Sequence, residues 1–468
     1  MKKGSLLLIF TIFLMSWTSV FATGAQENLV IAMDMGDETL NLNPYTATDS
    51  NSIIVLGNLY DGLYSYNPED STPDFALAEK ADVSTDGLSW TFYLRECKFS
   101  NGNQISSQTF LDSWNTLNST LLSGKISFIN RKADGSLDIE IINDRTFKVN
   151  LKYPVPYLPS ILCQPALGAI DPNNNKNFSG AYTIDSHNEN KLYLKANKNY
   201  WDKVEEQNIE ILLSGNFSEA FNNKTIHWSL APIENAENSM IVSKLYGSTF
   251  FYFNSKGDSN LPEEMKETLL AVLPVDVLRY IQGTLIESCS LVPHSKASAK
   301  HEINKLTAFP MISIAVPKGS QNGLTSEVIA EYWSKTFGVT VVLNTVPVTI
   351  YSNNPKENPY DFCLITWIAD YLDPMAFLEL FKSDSSYNLG NYYNSDYDNI
   401  LEEANRKTGN ERLELLEKAE TILLEDGTIL PLSVALATNF IQKELIEGWF
   451  SNPLDIHLFK YIKIARNN

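Results

Sequence analysis

The stretch ISIAVPKGSQNGLTSEVIAEYWSKTFGVTVVLNTV (residues 312–346) reads, in order, as a strand, a glycine-containing loop, a helix and a second strand. Thr325 is expected to be the helix N-cap, because its hydroxyl can accept a hydrogen bond from a backbone N–H of the first turn. Gly338 is expected just beyond the helix end, where a left-handed backbone favours glycine. The stretch therefore predicts a β-α-β unit and an α/β fold.

Another buried strand is predicted at YDFCLITW (360–367), so the stretch TWIADYLDPMAFLELF (366–381) begins at the carboxyl end of a strand. Ligands of open α/β sheets tend to bind at that end. Asp373 is followed by proline and is expected to cap a helix over residues 375–381. Asp370 is either a ligand contact or a carboxylate held by backbone amides at the strand end.

Local patterns elsewhere predict further elements. LVIAMDM (29–35) is typical of a strand, and SIIVLGNLYDGLY (52–64) of an amphipathic helix that ends near Asn67. LDIEIINDRTFKVNL (137–151) predicts a hairpin that turns at Asn143 and Asp144.

Two helices are expected near the carboxyl terminus, DYDNILEEANRK (396–407) and NERLELLEKAETILLED (410–426). Their acidic residues are interpreted as a solvated surface. The residues expected on the apolar face of the second helix are Leu413, Leu416, Ala419 and Leu423.

The amino terminus has the pattern of a secretory signal: two lysines are followed by SLLLIFTIFLMSWTSVF, and cleavage is expected after Ala22. No cysteine lies near that position to carry a lipid anchor, so a periplasmic protein is expected. No later segment approaches the roughly 20 apolar residues that a membrane helix needs. The formal net charge of -20 disfavours nucleic acid as a partner.

The cysteines and histidines indicate neither a metal site nor a cofactor. Cys97, Cys163, Cys289 and Cys363 share no metal-type spacing; buried free thiols are expected, and one or two disulfides are the alternative in an oxidising compartment. The histidines are equally scattered, without a zinc-type pair.

Four stretches resemble landmarks of one protein family, the extracytoplasmic solute-binding proteins of the peptide and nickel class. LAEKADVSTDGLSWTFYLRECKFSNGNQIS (77–106) is similar to the family's signature region, and RTFKVNLKYPVPYLPSIL (145–162) to its second landmark. SGAY (179–182) with NYWD (199–202), and then WIADYLDP (367–374), follow in the family's order.

The resemblance implies a periplasmic-binding-protein-like fold of three lobes that closes over a ligand cleft by a hinge motion. Lobe I is expected to be discontinuous and to pack with lobe II, while lobe III faces them across the cleft. After the signal peptide at 1–22, the expected boundaries are 23–60, 172–245 and 446–468 for lobe I, 61–171 for lobe II and 246–445 for lobe III.

In peptide-binding relatives, the aspartate of the A-D-Y triplet holds the α-ammonium group of the ligand, and Asp370 occupies that position. An isolated carboxylate in a closed cleft would be costly unless it met a cation. Trp367 is expected to wall a side-chain pocket, or else to be plain core. The backbone of Thr366–Ile368 would form the strand edge to which an extended peptide adds.

Across the cleft, relatives use a loop that follows an Asn/Asp-Pro turn. Here that turn is Asn43-Pro44, which places Thr48, Asp49 and Ser50 against the peptide backbone. The acidic residue of the family's loop aligns with Thr48, and Asp49 is next to it. Resemblance weakens at about 250–305, where a predicted helix is interrupted by Pro274, and at TIHWSLAP (225–232).

The function that the resemblance implies is capture of short peptides in the periplasm, by a monomer, and delivery to an inner-membrane ABC permease. Peptide length and side-chain preference stay open. One alternative is a non-peptide ligand, such as a nickel complex, a sugar or a glutathione-like compound; another is a degenerate cleft kept for interaction or signalling. An enzyme with Asp370 and Asp373 as acid and base is disfavoured, because the chain lacks a nucleophile elbow, an HExxH sequence and a phosphate loop.

Overall fold

Two β-sheets organise the chain in the computed structural model, which describes residues 28–36, 39–257, 261–281, 290–300, 309–317, 322–346, 358–385 and 387–465. The expected signal peptide and Cys289 lie outside these ranges. Among the described residues, no helix has the length and apolar character that a membrane crossing requires.

The strands are β1 (Leu29–Ala32), β2 (Tyr64–Tyr66), β3 (Pro73–Phe75), β4 (Ala78–Val83), β5 (Ser89–Leu94), β6 (Ile139–Asn143), β7 (Thr146–Asn150), β8 (Tyr182–His187), β9 (Lys191–Ala196), β10 (Ile209–Leu212), β11 (Trp228–Ser229), β12 (Met240–Phe253), β13 (Ile312–Pro317), β14 (Val341–Val346), β15 (Phe362–Ile368), β16 (Ile429–Ile441), β17 (Ile446–Glu447) and β18 (Lys463–Ile464).

The helices are α1 (Ser50–Leu59), α2 (Ser107–Leu117), α3 (Leu158–Ile161), α4 (Phe217–Asn222), α5 (Glu263–Ala271), α6 (Val275–Ile281), α7 (Asn322–Phe337), α8 (Met375–Leu378), α9 (Ser395–Ala404) and α10 (Gly409–Glu425). Short 3-10 turns connect several of them.

In the described part of the chain, the larger sheet has ten strands, which range from the first strand of the chain, β1, to the late strand β16. Their order is β14-β13-β15-β12-β16-β11-β1-β10-β9-β8. The long strands β12 and β16 pair antiparallel at its centre and join its two halves. Their register is irregular between Lys244 and Ser248, which is where the border between lobes I and III is expected. The smaller sheet, β4-β5-β7-β6, is antiparallel and lies within the expected lobe II.

The apolar core beneath the smaller sheet continues into the segment that follows β15. Tyr157 and Tyr371 stack with their ring centroids 5.1 Å apart and their planes within 6° of parallel. Phe147 and Phe377 are fully buried in the same cluster. The segments expected to form lobes II and III are therefore in direct contact in this structure.

Several of the elements predicted from local sequence patterns are confirmed. The β-α-β unit is present, with β13 and β14 parallel, and so is the hairpin of β6 and β7. Gly338 has the expected positive φ of +69°. Cys97, Cys163 and Cys363 are buried free thiols, as expected.

Three local predictions were wrong. Helix α1 ends at Leu59, well before Asn67, because residues 64–66 instead form β2 and pair with β3. Thr325 lies inside α7, where it is buried, and is not its N-cap. Leu413 is 48% exposed, whereas the other three residues predicted on that face of α10 are buried.

Candidate ligand-binding site

A cavity of about 630 Å³ lies between the carboxyl end of β15 and the amino-terminal half of α1. This volume is within the range of roughly 300–1,000 Å³ that is typical of small-ligand sites. The structure brings all seven predicted contact residues to its wall: Thr48, Asp49, Ser50, Thr366, Trp367, Ile368 and Asp370.

Strand β15 presents a backbone edge to this cavity. Strand β12 pairs with all of β15, from Phe362 to Ile368, whereas β13 pairs only with Phe362 and Cys363. Beyond Cys363 the other edge of β15 has no strand partner within the described part of the chain. The arrangement has the geometry that an extended ligand needs in order to add as a further strand.

Trp367 forms a wall that is held in place from behind. Its indole N–H donates to the Ala376 carbonyl at 3.1 Å, and its ring meets Tyr387 edge-on at 5.7 Å between centroids. The neighbouring Thr366 is exposed, with its hydroxyl 2.8 Å from that of Thr249. Trp367 therefore lies on the cavity wall and is also packed against neighbouring residues.

The loop after Asn43-Pro44 is fixed by local hydrogen bonds. The Asn43 side-chain oxygen accepts from the Tyr45 backbone N–H at 3.0 Å, and Asp49 Oδ1 accepts from the Ser52 N–H at 2.8 Å. Asp49 is therefore the N-cap of α1, a role that the sequence reading did not assign to it. Thr48 and Ser50 flank this cap and are exposed.

Asp370 has a cationic partner within the chain, which neither interpretation of the sequence included. Its Oδ2 lies 2.8 Å from Nζ of Lys125, and the same ammonium group donates to Gln164 Oε1 at 2.7 Å. The Lys125 side chain is 15% exposed and that of Asp370 is 33% exposed. The carboxylate already has a cationic partner inside the chain, so a cationic ligand is not needed to neutralise it.

The charge on Lys125 is maintained in spite of its surroundings. Burial alone would lower the pKa of this lysine. The nearby negative charge of Asp370 raises the pKa, with smaller contributions in the same direction from Tyr387 and Glu379, and these effects outweigh burial. The pKa of Lys125 is therefore raised above its ordinary value, and the group stays protonated at neutral pH.

Asp373 has the predicted capping role and also a role that sequence reasoning missed. Its Oδ1 accepts from the Met375 N–H at 2.9 Å, which caps α8. Both carboxylate oxygens also accept hydrogen bonds from the guanidinium group of Arg412, at 2.7 and 2.8 Å. Because Asp370 and Asp373 are each bound to a different cation, their arrangement does not favour an acid and base pair.

Sequence reasoning did not single out Lys125, Gln164 or Tyr66, although all three line the cavity. Tyr66 donates its hydroxyl hydrogen to the Asp370 carbonyl at 3.1 Å. Lys125 stands in the unremarkable sequence LLSGKI, and its partner is 245 positions away. No local signal marked this lysine as part of the site.

Residues 72–262 match the family model of bacterial extracellular solute-binding proteins, family 5 Middle. The oligopeptide-binding protein OppA of Bacillus subtilis is 23% identical, with 95% of each chain covered. The periplasmic oligopeptide-binding protein OppA of Salmonella typhimurium is also 23% identical, with 94% of this chain and 93% of the relative covered.

Solved structures show the same fold. Haemophilus influenzae OppA in complex with RPPGFSPFR superposes with a TM-score of 0.80 at 20% identity, over 94% of this chain and 99% of that one. The murein tripeptide binding protein MppA of Escherichia coli gives a TM-score of 0.80 at 19% identity, with the same coverage. These findings support the resemblance to the peptide and nickel class of solute-binding proteins, and they show the periplasmic-binding-protein-like fold.

Proposed function

We propose that this protein captures short peptides in the cavity between β15 and α1 and delivers them to an ABC permease. The observation that supports this proposal most directly is the open backbone edge of β15 at residues 366–368, which faces a cavity of about 630 Å³. An extended ligand gains main-chain hydrogen bonds there irrespective of its side chains. Relatives of the same fold support the proposal, because two of them are named as oligopeptide-binding proteins.

The remaining assignments form part of the same proposal. The chain is exported by residues 1–22, acts in the periplasm as a monomer, and closes by motion of the three lobes at the boundaries given above. The register irregularity at Lys244–Ser248 supports the border at 245/246, because a break in pairing lets two halves of a strand bend relative to each other. Thr48, Ser50, Thr366, Trp367 and Ile368 are proposed as direct ligand contacts.

Gly57→Phe should abolish or weaken ligand binding at least tenfold. Gly57 lines the cavity from α1, and a Cβ added there meets no atom within 4 Å, so a phenyl ring fills space that a ligand needs. Binding is measured by native mass spectrometry of protein purified from its own host, and by calorimetry with the peptides that co-purify.

Gly57→Ala is the matched control, because it also improves helix propensity at this position but adds only one methyl group. It should retain the affinity of the wild type. Unchanged binding by the phenylalanine variant would show that the ligand does not bind in this cavity. If no peptide co-purifies with the protein, the proposed function is contradicted.

A second candidate function is the binding of a non-peptide ligand in the same cavity. The wall is rich in apolar side chains, among them Ile54, Leu56, Leu230, Ile365 and Leu458. One relative of 22% identity is named as a probable deoxycholate-binding periplasmic protein of Escherichia coli. The mass of the co-purifying ligand separates this candidate from a peptide.

A further inference from the structure

Carboxylates outnumber cationic groups on the cavity wall. Within the described residues, the charged side chains that line the cavity are Asp49, Asp61, Lys125, Asp370 and Asp455. Four negative groups therefore accompany one positive group, and that lysine is paired with Asp370. The excess of negative charge favours a ligand that brings a cationic group of its own. The three other carboxylates differ in what already surrounds them.

Asp61 and Asp49 each have a compensating environment within the chain. Asp61 is 7% exposed, and its Oδ2 accepts from the Tyr200 hydroxyl at 2.9 Å and from the Trp201 indole N–H at 2.8 Å. Asp49 is the N-cap of α1, where the partial positive charge of the helix end offsets its negative charge. Both groups therefore have a structural role in the wall.

Asp455 has no comparable positive partner. Among the residues that the structure describes, neither a lysine nor an arginine forms an ion pair with it, and its neighbour is His457, whose Nε2 lies 3.0 Å from Oδ1. The same Oδ1 accepts from Asn439 Nδ2 at 3.0 Å, whereas no described residue donates to the other oxygen, Oδ2. The side chain is 23% exposed and lies on the cavity wall, so Oδ2 is accessible to a ligand.

A buried network fixes the orientation of the Asp455 carboxylate. Asn439 is 1% exposed, and its side-chain oxygen accepts from the Trp228 indole N–H at 2.8 Å. The His457 ring stacks on Trp449 with the centroids 4.9 Å apart, and it meets Trp228 edge-on at 4.8 Å. The two side chains that contact Oδ1 are therefore themselves held by packing, as a preorganised binding group requires.

Apolar side chains border the same carboxylate. Those that line the cavity on this side are Ile54, Leu230 and Leu458. The Asn58 side chain joins α1 to the carboxyl-terminal segment, since it donates to the Ile54 carbonyl at 2.9 Å and to the His457 carbonyl at 3.1 Å. Strand β11, which precedes Leu230, pairs with the end of β16 that contains Asn439. A lysine side chain has the matching form, an aliphatic stem that ends in a cation.

We propose that Asp455 is a further specificity-determining residue, whose Oδ2 accepts a hydrogen bond from the ammonium group of a lysine side chain in the bound peptide. The inference rests on the proposed function and deepens it, because it names the ligand class as short peptides that contain lysine. The stem packs against the apolar wall, and a charge-assisted hydrogen bond compensates the ammonium group for its lost hydration. Because Oδ1 already has two contacts, the site suits the point charge of lysine better than the forked guanidinium group of arginine.

The test compares lysine with norleucine, which has the same four-carbon stem but lacks the ammonium group. Alanine tripeptides are prepared with one lysine at the first, second or third position, and each has a norleucine counterpart. Calorimetry gives their affinities for the wild-type protein and for Asp455→Asn. At least one lysine peptide should bind the wild type at least tenfold tighter than its counterpart, and Asp455→Asn should lose that preference.

Two controls separate this effect from misfolding and from a general loss of charge. Asparagine at position 455 can still accept from Asn439 and tolerates the positive φ of +53° at this position, so Asp455→Asn should bind the norleucine peptides as the wild type does. Glu447→Gln removes an exposed charge from the same part of the chain, away from the residues that line the cavity, and should keep the lysine preference.

A lysine preference that persists in Asp455→Asn, or that disappears equally in Glu447→Gln, would overturn the inference. Norleucine peptides that bind the wild type as tightly as their lysine counterparts would do the same. In these cases the binding of the peptides leaves the proposed function intact. If no tripeptide of either series binds the wild type, the proposed function fails together with the inference.

Discussion

Replacement of Asp373 by asparagine should lower the free energy of unfolding by about 3–5 kcal/mol, the scale for removal of one partner from a buried ion pair. The Asp373 and Arg412 side chains are 12% and 8% exposed, and two hydrogen bonds of 2.7 and 2.8 Å join them. Asparagine can still cap α8 but leaves the guanidinium group without its counter-charge. Urea unfolding followed by circular dichroism measures the loss.

Two comparisons separate this effect from other causes. Asp185→Asn removes the partner of Lys195 in an exposed pair, where both side chains are 55% exposed, and should change stability by at most about 1 kcal/mol. Adding Arg412→Met to Asp373→Asn removes the stranded charge and should recover part of the loss. A loss below about 1 kcal/mol for Asp373→Asn would show that Arg412 finds compensation elsewhere.

Glu379→Gln should stabilise the protein at neutral and alkaline pH, by about 3 kcal/mol at the upper limit. The pKa of Glu379 is raised to about 7, mainly by burial; the charges of Asp370 and Asp373 also raise it, while the hydrogen bond from Tyr371 and the charge of Lys125 oppose the increase. Tyr371 donates to Glu379 Oε1 at 2.9 Å, and a glutamine carbonyl can accept that bond equally well.

The sign follows from proton binding. The folded state holds the Glu379 proton more tightly than the unfolded chain, whose carboxyl has the ordinary value of 4.5. Ionisation of Glu379 therefore costs stability as pH rises from about 4.5 to about 7, and the cost levels off above that range. The difference between variant and wild type should be small near pH 4.5 and grow to its maximum above pH 7.

Glu420 acts in the same direction, because burial raises its pKa also to about 7. The double variant Glu379→Gln, Glu420→Gln should therefore show the larger pH-dependent gain. Glu414→Gln, at an exposed position of α10, is the control and should give a difference that does not change over this range. A constant difference for Glu379→Gln would contradict the proposed burial effect. Urea unfolding at a series of pH values provides the measurement.

The sequence by itself determined the elements that depend on near neighbours. The β-α-β unit at 312–346, the hairpin at 137–151 and the Asp373 cap all follow from hydrophobic periodicity, turn residues and contacts within one short stretch of the chain. Family landmarks added the fold and placed seven residues on one cavity wall, although Thr48 and Asp370 lie far apart in the sequence.

Only the tertiary structure decided which charges are already paired. Lys125 meets Asp370 across 245 positions, Arg412 meets Asp373 across 39, and Trp201 meets Asp61 across 140. Charge pairing depends on distance in space and on exclusion of water, neither of which a local pattern contains. The sequence thus located the carboxylate at the cavity, whereas the folded chain supplied the lysine that satisfies it.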